Sequence, residues 1–224
     1  MHVLPAAWRA SLPVMFGYVP LGMAFGILFQ DLGYPWYLAT LMGLLVYAGA
    51  AQFMAVGLLA AHAGLIEIAV STFALNLRHV FFGLSMLDRY RCSGLKKLYL
   101  IFGLTDETYS LATSATPPVA GDPSDYYFAI TALNQSYWVV GCTLGAITGS
   151  AVEFDSTGME FALTALFLVL LLEQWKAVRT VFPFLVAASC GLIALIYFKT
   201  QMLLVSISLS LILLVLRYRY SGNS

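Results

Sequence analysis

Residues 98–114 open with Leu98-Tyr-Leu-Ile-Phe-Gly-Leu104 and run straight into Thr105-Asp106-Glu107-Thr108. Adjacent carboxylates at the end of a short apolar run allow two readings: a full membrane span, or a half helix that turns back. On both sides of this stretch the sequence is far less ambiguous. Crossing the hydrocarbon core takes about 20 mainly apolar residues in a helix, and segments 12–30, 36–61, 64–87, 126–149, 159–174, 181–198 and 201–216 fit that requirement. The expected fold is therefore all-α: a polytopic integral membrane protein with seven to eight transmembrane helices.

Composition agrees. The chain has 224 residues, of which 61% are hydrophobic and 10% charged, with a mean hydropathy of +0.86. Soluble domains carry about 25% charged residues, so a water-soluble domain is excluded. Eleven Lys and Arg balance 11 Asp and Glu; no basic field exists to attract a polyanion, and nucleic-acid binding is dropped. Cys92, Cys142 and Cys190 are isolated in sequence and suggest neither a disulfide framework nor a metal site. Met1 to Ser11 carry one Arg and lead into a Gly/Pro-interrupted apolar stretch, so no cleaved signal peptide is expected. The longest polar stretches, Asp88 to Lys97, Thr113 to Asp125 and Ser150 to Gly158, are too short for an extramembrane domain, and residues 1–224 read as one membrane transport domain.

Orientation hangs on the opening segment. Asp88 to Lys97 concentrates four basic residues, whereas the loop around Asp122 and Asp125 has none; the positive-inside rule puts the first in the cytoplasm and the second outside. Lys176 with Arg179, and Arg217 with Arg219, also favour the cytoplasm. These preferences conflict if 98–114 crosses fully, so either that segment is re-entrant or one violation is tolerated.

Two boxes read alike: Tyr18-Val-Pro-Leu-Gly22-Met-Ala-Phe-Gly26 and Tyr137-Trp-Val-Val-Gly141-Cys-Thr-Leu-Gly145, followed by spans ending in Gln52 and Gln174. Small residues four apart let helix backbones approach closely in lipid. The same pattern fits a duplicated fold with halves at about 12–114 and 126–216, as in secondary transporters whose binding sites lie on interrupted helices at the repeat interface. Pro13, Gly17, Pro20, Gly22 and Gly26 predict an interrupted or kinked first helix, since proline removes a backbone donor and frees a carbonyl.

Polar residues inside apolar runs mark the candidate site. Gln52 follows the small-residue string Gly49-Ala50-Ala51, and reads either as an interhelical hydrogen bond or as a ligand for substrate. Asn76, Arg78 and His79 stand close together; an intramembrane charge costs about 2.5–3.5 kcal/mol on the lenient scale and is usually functional, although Arg78 also lies near enough to the basic loop to snorkel. Asp106 and Glu107 are candidate partners for Arg78 or carriers of a proton, because burial raises a carboxyl's pKa and a guanidinium lowers it; a solvated helix end is the plainer reading. Asn134, in Ala132-Leu-Asn134-Gln-Ser136, echoes Ala74-Leu-Asn76. Gly22, Gly26, Gln52, Asn76 and Asn134 are thus the expected substrate-binding residues, and Arg78, His79, Asp106 and Glu107 the expected coupling or ion-pair residues.

Four boxes in order, Gly22-Met-Ala-Phe-Gly26, Tyr47-Ala-Gly-Ala-Ala-Gln52-Phe53, Leu75-Asn76-Leu77-Arg78-His79 and Thr105-Asp106-Glu107-Thr108, resemble the AzlC/YgaZ family over about residues 12–175. The resemblance implies a multi-pass bacterial inner-membrane exporter of valine and related amino acids. It also implies a small hydrophobic partner of the AzlD/YgaH type.

An aliphatic zwitterion needs an apolar pocket with a few fixed polar groups, which the chain can supply. No GxxxxGK[ST] loop is present to power transport by ATP, and no HExxH or Gly-x-Ser-x-Gly motif suggests an enzyme. The expected function is proton-driven export without a cofactor or resident metal. A channel, a structural subunit of another transporter, or an exporter of a different small amino acid is the alternative.

Overall fold

Where no water is available to backbone polar groups, a helix satisfies them within its own segment, and this chain is helical almost wherever it is described. A computed structural model describes residues 3–114, 117–118, 122–151, 168, 171–172, 175, 180–198 and 202–221. Its helices are α1 (Val3–Asp31), α2 (Trp36–Leu45), α3 (Gly49–Ala60), α4 (Leu65–Asn76), α5 (Arg78–Met86), α6 (Gly94–Phe102), α7 (Asp106–Ser114), α8 (Pro123–Ala151), α9 (Phe182–Tyr197) and α10 (Met202–Ser221), with no strand among the described residues. Contacts divide the chain into two units: Met1–His62 with Asn76–Thr164, and Ala63–Leu75 with Ala165–Ser224.

The first unit is built on α1 and α8, both 29 residues long. Glycine makes their approach possible. A Cβ on Gly22 would lie 3.0 Å from the Cys142 backbone nitrogen, and one on Gly141 2.7 Å from the Val19 carbonyl oxygen. At Gly26 and Gly145 a Cβ would overlap the carbonyls of Cys142 and Met23 outright. Ala7 packs in one cluster with Tyr126 and Tyr127, and the contacts then proceed through Gly22 with Gly141 to Gly26 with Gly145. The two helices therefore run parallel, and the two boxes that look like repeats in sequence face each other.

This seam corrects one expectation. The first helix is not interrupted: α1 continues through Pro13 and Pro20. Membrane helices tolerate proline when neighbours re-satisfy the freed groups, and α8 supports α1 along most of its length.

The breaks fall elsewhere. Segment 36–61 is divided at residues 46–48, segment 64–87 at Leu77, and segment 98–114 at residues 103–105. The first and last of these breaks are reversals. Thr40 Oγ1 lies 2.8 Å from Thr143 Oγ1, Gly43 packs on Val139 and Cys142, and the Leu44 carbonyl accepts from Gln135 Nε2 at 3.0 Å, so α2 runs antiparallel to α8. After the break, Gly49 starts α3 against Trp138, and Phe53 meets Phe25 edge-on with ring centroids 5.9 Å apart. The chain has turned back.

The α6–α7 pair does the same from the opposite end. Lys96, at the start of α6, bridges Asp122 at 3.8 Å and also Asp125, at the start of α8. Tyr99 stacks obliquely on Phe128 at 5.1 Å, and Gly103 abuts the Thr131 side chain. Helix α7 then returns: Tyr109 stacks on Phe82 at 4.5 Å, and the Ala112 carbonyl accepts from Arg89 at 2.8 Å, placing a cation at the negative end of the helix. The ion pairs of Lys96 correct the assignment of the 88–97 and 122–125 loops to opposite faces: both lie at one end. A nine-residue α6 rises about 13 Å at 1.5 Å per residue, less than half of the roughly 30 Å hydrocarbon core. Segment 98–114 turns back on itself rather than continuing as one helix.

Helix α8 begins with Asp122 before Pro123, the pairing that favours a helix start. Asp122 Oδ1 accepts the Ser124 N–H at 2.9 Å; that bond, aided by Lys96, holds its carboxyl below the usual range. In the second unit α9 packs on α10, and the Arg217 guanidinium sits 3.5 Å from the centre of the Phe182 ring, a cation–π contact. The expected span 159–174 lies almost wholly outside the described residues.

Two outcomes follow from this geometry. Gly145→Leu is expected to destabilise the purified protein by at least about 1–3 kcal/mol through overpacking, read as a lowered midpoint of thermal unfolding; Gly17→Ala, with nothing within 4 Å of a new Cβ, should leave it unchanged or slightly raised. Single cysteines at Lys96 and Asp122 in a background free of native cysteines should react with an impermeant maleimide from the same side of the membrane; labelling from opposite sides would overturn the placement of both loops at one end.

Candidate functional site: a buried polar junction between two hairpin tips

The two reversals meet midway along α1 and α8. From the α6–α7 tip, Thr105 and Glu107 reach Tyr18 of α1: the Tyr18 hydroxyl donates to Glu107 Oε2 at 2.6 Å and lies 2.7 Å from Thr105 Oγ1. Thr105 also caps α7, since its Oγ1 accepts the Thr108 N–H at 3.2 Å, and it donates to Thr108 Oγ1 at 3.0 Å. Asn134 Nδ2 then donates to Thr108 Oγ1 at 3.1 Å. On the other side, Trp138 Nε1 donates to Gln52 Oε1 at 2.8 Å, and the Trp138 ring meets Tyr18 edge-on at 5.3 Å. One connected set thus joins α1, α3, α7 and α8.

All of it is buried except Glu107, which is half-buried; Gln52 and Asn134 are completely enclosed. Buried polar groups are normally hydrogen-bonded, and each exception calls for an explanation. Here three atoms have no hydrogen-bond partner: Tyr47 Oη, Gln52 Nε2 and Asn134 Oδ1. Tyr47 sits beside Thr108 and Tyr18 without forming a bond of acceptable geometry to either. Its backbone is unusual as well. Tyr47 has φ 43°, a left-handed conformation disfavoured for a bulky residue, and its ring is held 6.3 Å from that of Phe102. Such strain persists only where the surroundings impose it, and it clusters at functional sites.

Gln52, Asn134 and Glu107, expected from sequence, come together here, and Asp106 opens α7 beside them. Gly22 and Gly26 lie in the α1–α8 seam against Cys142, Gly145 and Ala146. Asn76 and His79 meet each other, His79 Nδ1 standing 3.3 Å from the Asn76 carbonyl, with the imidazole edge-on to Phe82. Arg78 begins α5, but its side chain lies outside the described residues, as does Gln174. Sequence reasoning missed Tyr18, Tyr47, Thr105, Thr108 and Trp138. Tyr18 was visible as part of the repeated box, but a hydroxyl on an apolar helix does not announce its partner 89 residues away.

Comparison with known proteins gives this junction a context. The AzlC protein family matches residues 13–152, which covers both hairpins and both long helices. The chain belongs to the AzlC family. It is 36% identical over 200 residues to the branched-chain amino acid transport protein AzlC of Bacillus subtilis, covering 89% of this chain and 79% of that one. The inner membrane protein YgaZ of Escherichia coli is 32% identical over 175 residues, 75% of this chain and 71% of its own. An uncharacterised membrane protein of Helicobacter pylori is 39% identical over 180 residues, 79% of each. No solved structure matches. As a member of this family the chain is a membrane transport protein.

Within this AzlC-family site, Thr108 links the two halves of the network. Thr108→Val keeps the shape and removes the bonds to Asn134 and Thr105; the stranded Asn134 amide should lower stability by about 1–3 kcal/mol, measured as thermal unfolding of the purified protein. Ser136→Ala, which removes an exposed hydroxyl bonded only to its own helix, should change nothing measurable.

Proposed function

We propose that this chain is a secondary transporter that exports branched-chain amino acids, valine and similar, across the bacterial inner membrane, driven by the proton gradient. The observation that carries this reading is the meeting of two half-helix N-termini, those of α3 and α7, in a buried polar junction reached from opposite ends of α1 and α8. Half helices that end inside a membrane protein are a recurrent way to bind substrate near the midplane. In this reading α1 and α8 cross the multi-pass protein's bilayer, while α2–α3 and α6–α7 enter and return. The Bacillus subtilis relative, a branched-chain amino acid transport protein, supports the substrate class.

Glu107 is the proton-exchanging group. Tyr18 donates to it at 2.6 Å, so a proton gained or lost at Glu107 acts directly on the contact between the α6–α7 tip and α1. Gln52 and Asn134 face substrate. Gly22 and Gly26 serve the site indirectly by keeping α8 close enough to present Asn134 and Trp138. Asp106, in the first turn of α7, adds a second carboxylate near the tip of α6–α7, while Asn76 and His79 pair with each other next to Phe82. A small hydrophobic subunit of the AzlD/YgaH type completes the transporter. Strongly exposed apolar side chains such as Leu65, Ile66, Leu95 and Leu98 suit lipid or such a subunit.

The test is efflux of labelled valine from loaded cells lacking their own exporters, with this chain expressed alone or with the small subunit, before and after the proton gradient is collapsed. Saturable efflux that needs the subunit and stops with the gradient is expected. Glu107→Gln should cut gradient-driven efflux by about tenfold or more, the effect of about 1.4 kcal/mol, while valine–valine exchange persists. Efflux unaffected by expression would remove valine as substrate, and flux that does not saturate would indicate a channel.

A further inference from the structure

The two half-helix N-termini at the junction are not equivalent, and the difference assigns the ends of the substrate. Helix α7 is already served: Thr105 caps it, and Asp106 and Glu107 occupy its first turn, so its positive end faces its own carboxylates. Helix α3 has neither. Its N-cap is Ala48, which has no side chain to bond the exposed amides, and its first turn carries no acidic residue. The first bond closed across its start is Gln52 N–H to the Ala48 carbonyl at 2.8 Å, leaving the amides of Gly49, Ala50 and Ala51 without acceptors inside the helix. Those residues are small, and Ala50 and Ala51 are buried.

A second, independent observation points the same way. The fully buried Gln52 amide spends its oxygen on Trp138, which fixes its rotamer and leaves Nε2 as a donor with no partner; the thiol of Cys142 lies beside it, a weak acceptor that forms no bond. The Tyr47 hydroxyl, two residues before Gly49, is also without a partner. One orphan donor, Gln52 Nε2, therefore stands within the first turn of an uncapped helix; the Tyr47 hydroxyl lies on the α7 side, beside Thr108 and Tyr18. Across the junction the orphan has the opposite sense: Asn134 turns its Nδ2 to Thr108 and leaves Oδ1, an acceptor, open, in the same network as Glu107.

Resting on the transport reading above, we infer that the N-terminus of α3, with Gln52 Nε2, holds the substrate's carboxylate, and that Asn134 Oδ1, on the Glu107 side, receives its ammonium group. Helix N-termini attract anions through their free N–H groups and dipole. A carbonyl oxygen beside a carboxylate attracts a cation. The ligand class is a free α-amino acid with both ends unblocked; its side chain is left for the apolar surroundings of Phe25 and Phe53.

The full chain in lipid nanodiscs should bind L-valine saturably, L-valinamide about tenfold or more weakly, and isovalerate more weakly too, as expected when a hydrogen-bonded charge is lost. Ala48→Ser supplies the missing cap from within the chain. It is expected to raise the thermal unfolding midpoint while weakening valine about tenfold, a combination that a merely misfolded variant does not produce. Gln52→Glu keeps the acceptor for Trp138 and replaces the donor with negative charge; valine should weaken by about tenfold or more with valinamide unchanged. Asn134→Leu should weaken valine and valinamide alike. If Ala48→Ser and Gln52→Glu both leave valine binding unaltered, or if valine and valinamide fall together in Gln52→Glu, the carboxylate assignment is wrong while the transport reading stands. If Asn134→Leu spares both ligands, the ammonium assignment is wrong. A wild-type chain that binds no valine, leucine or isoleucine overturns the transport reading itself.

Discussion

Backbone polar groups that cannot reach water must be satisfied by protein, and everything distinctive in this AzlC-family chain follows from where that requirement is hard to meet. Two helices of full length meet it internally. They can then lie so close that glycine is the only residue tolerated at Gly26 and Gly145. The shorter helices α2, α3, α6 and α7 each leave loose ends in the interior, and those ends are where Tyr18, Thr105, Thr108, Asn134 and Trp138 gather. The seam sets the distance and the breaks supply the unsatisfied groups. A buried polar junction is what remains when both conditions hold.

Within the junction, hydrogen-bond accounting separates structure from availability. Thr105 is committed on every side, as cap, acceptor and donor. Trp138 commits its only donor to Gln52. Because these residues are fully engaged, the groups they hold, the Gln52 nitrogen and the Asn134 oxygen, are left in fixed positions. A buried group without a partner costs roughly 1–3 kcal/mol, so three of them together are a substantial burden unless something else fills the valences. Positioning comes from the satisfied members, recognition from the unsatisfied ones.

Much of this was legible in the sequence, though not always in the right place. Apolar runs and the scarcity of charge announced an all-helical membrane protein, and the AzlC resemblance drawn from four short boxes is upheld by the match over residues 13–152. The paired Gly boxes stand out in sequence as small-residue patterns, but only the structure says that they touch. Interruption was expected at Pro13 and Pro20, the residues known to break helices; it occurs at Val46–Ala48 and Gly103–Thr105 instead, where long-range packing of Tyr47 and Thr105 overrides local preference. Hydropathy left 98–114 open between a full span and a half helix that turns back, and did not show the break in 36–61, because it registers how apolar a segment is and not whether it reverses. Gln52 and Asn134 stood out as amides in apolar runs, yet which of their atoms would be left open depends on Trp138 and Thr108, and no spacing rule reveals that.

The parallel course of α1 and α8 has a consequence for chain topology. Two parallel helices start at the same end, so the chain between Asp31 and Pro123 must make a net passage from one end back to the other, an odd number of traverses. Neither hairpin contributes one, because each leaves by the end at which it arrived. By Met86, whose side chain joins the cluster around Ala7 and Tyr126, the chain is back at the end where α1 begins. That parity also gathers Arg9, Arg89, Arg91, Lys96 and Lys97 at a single end of the first unit.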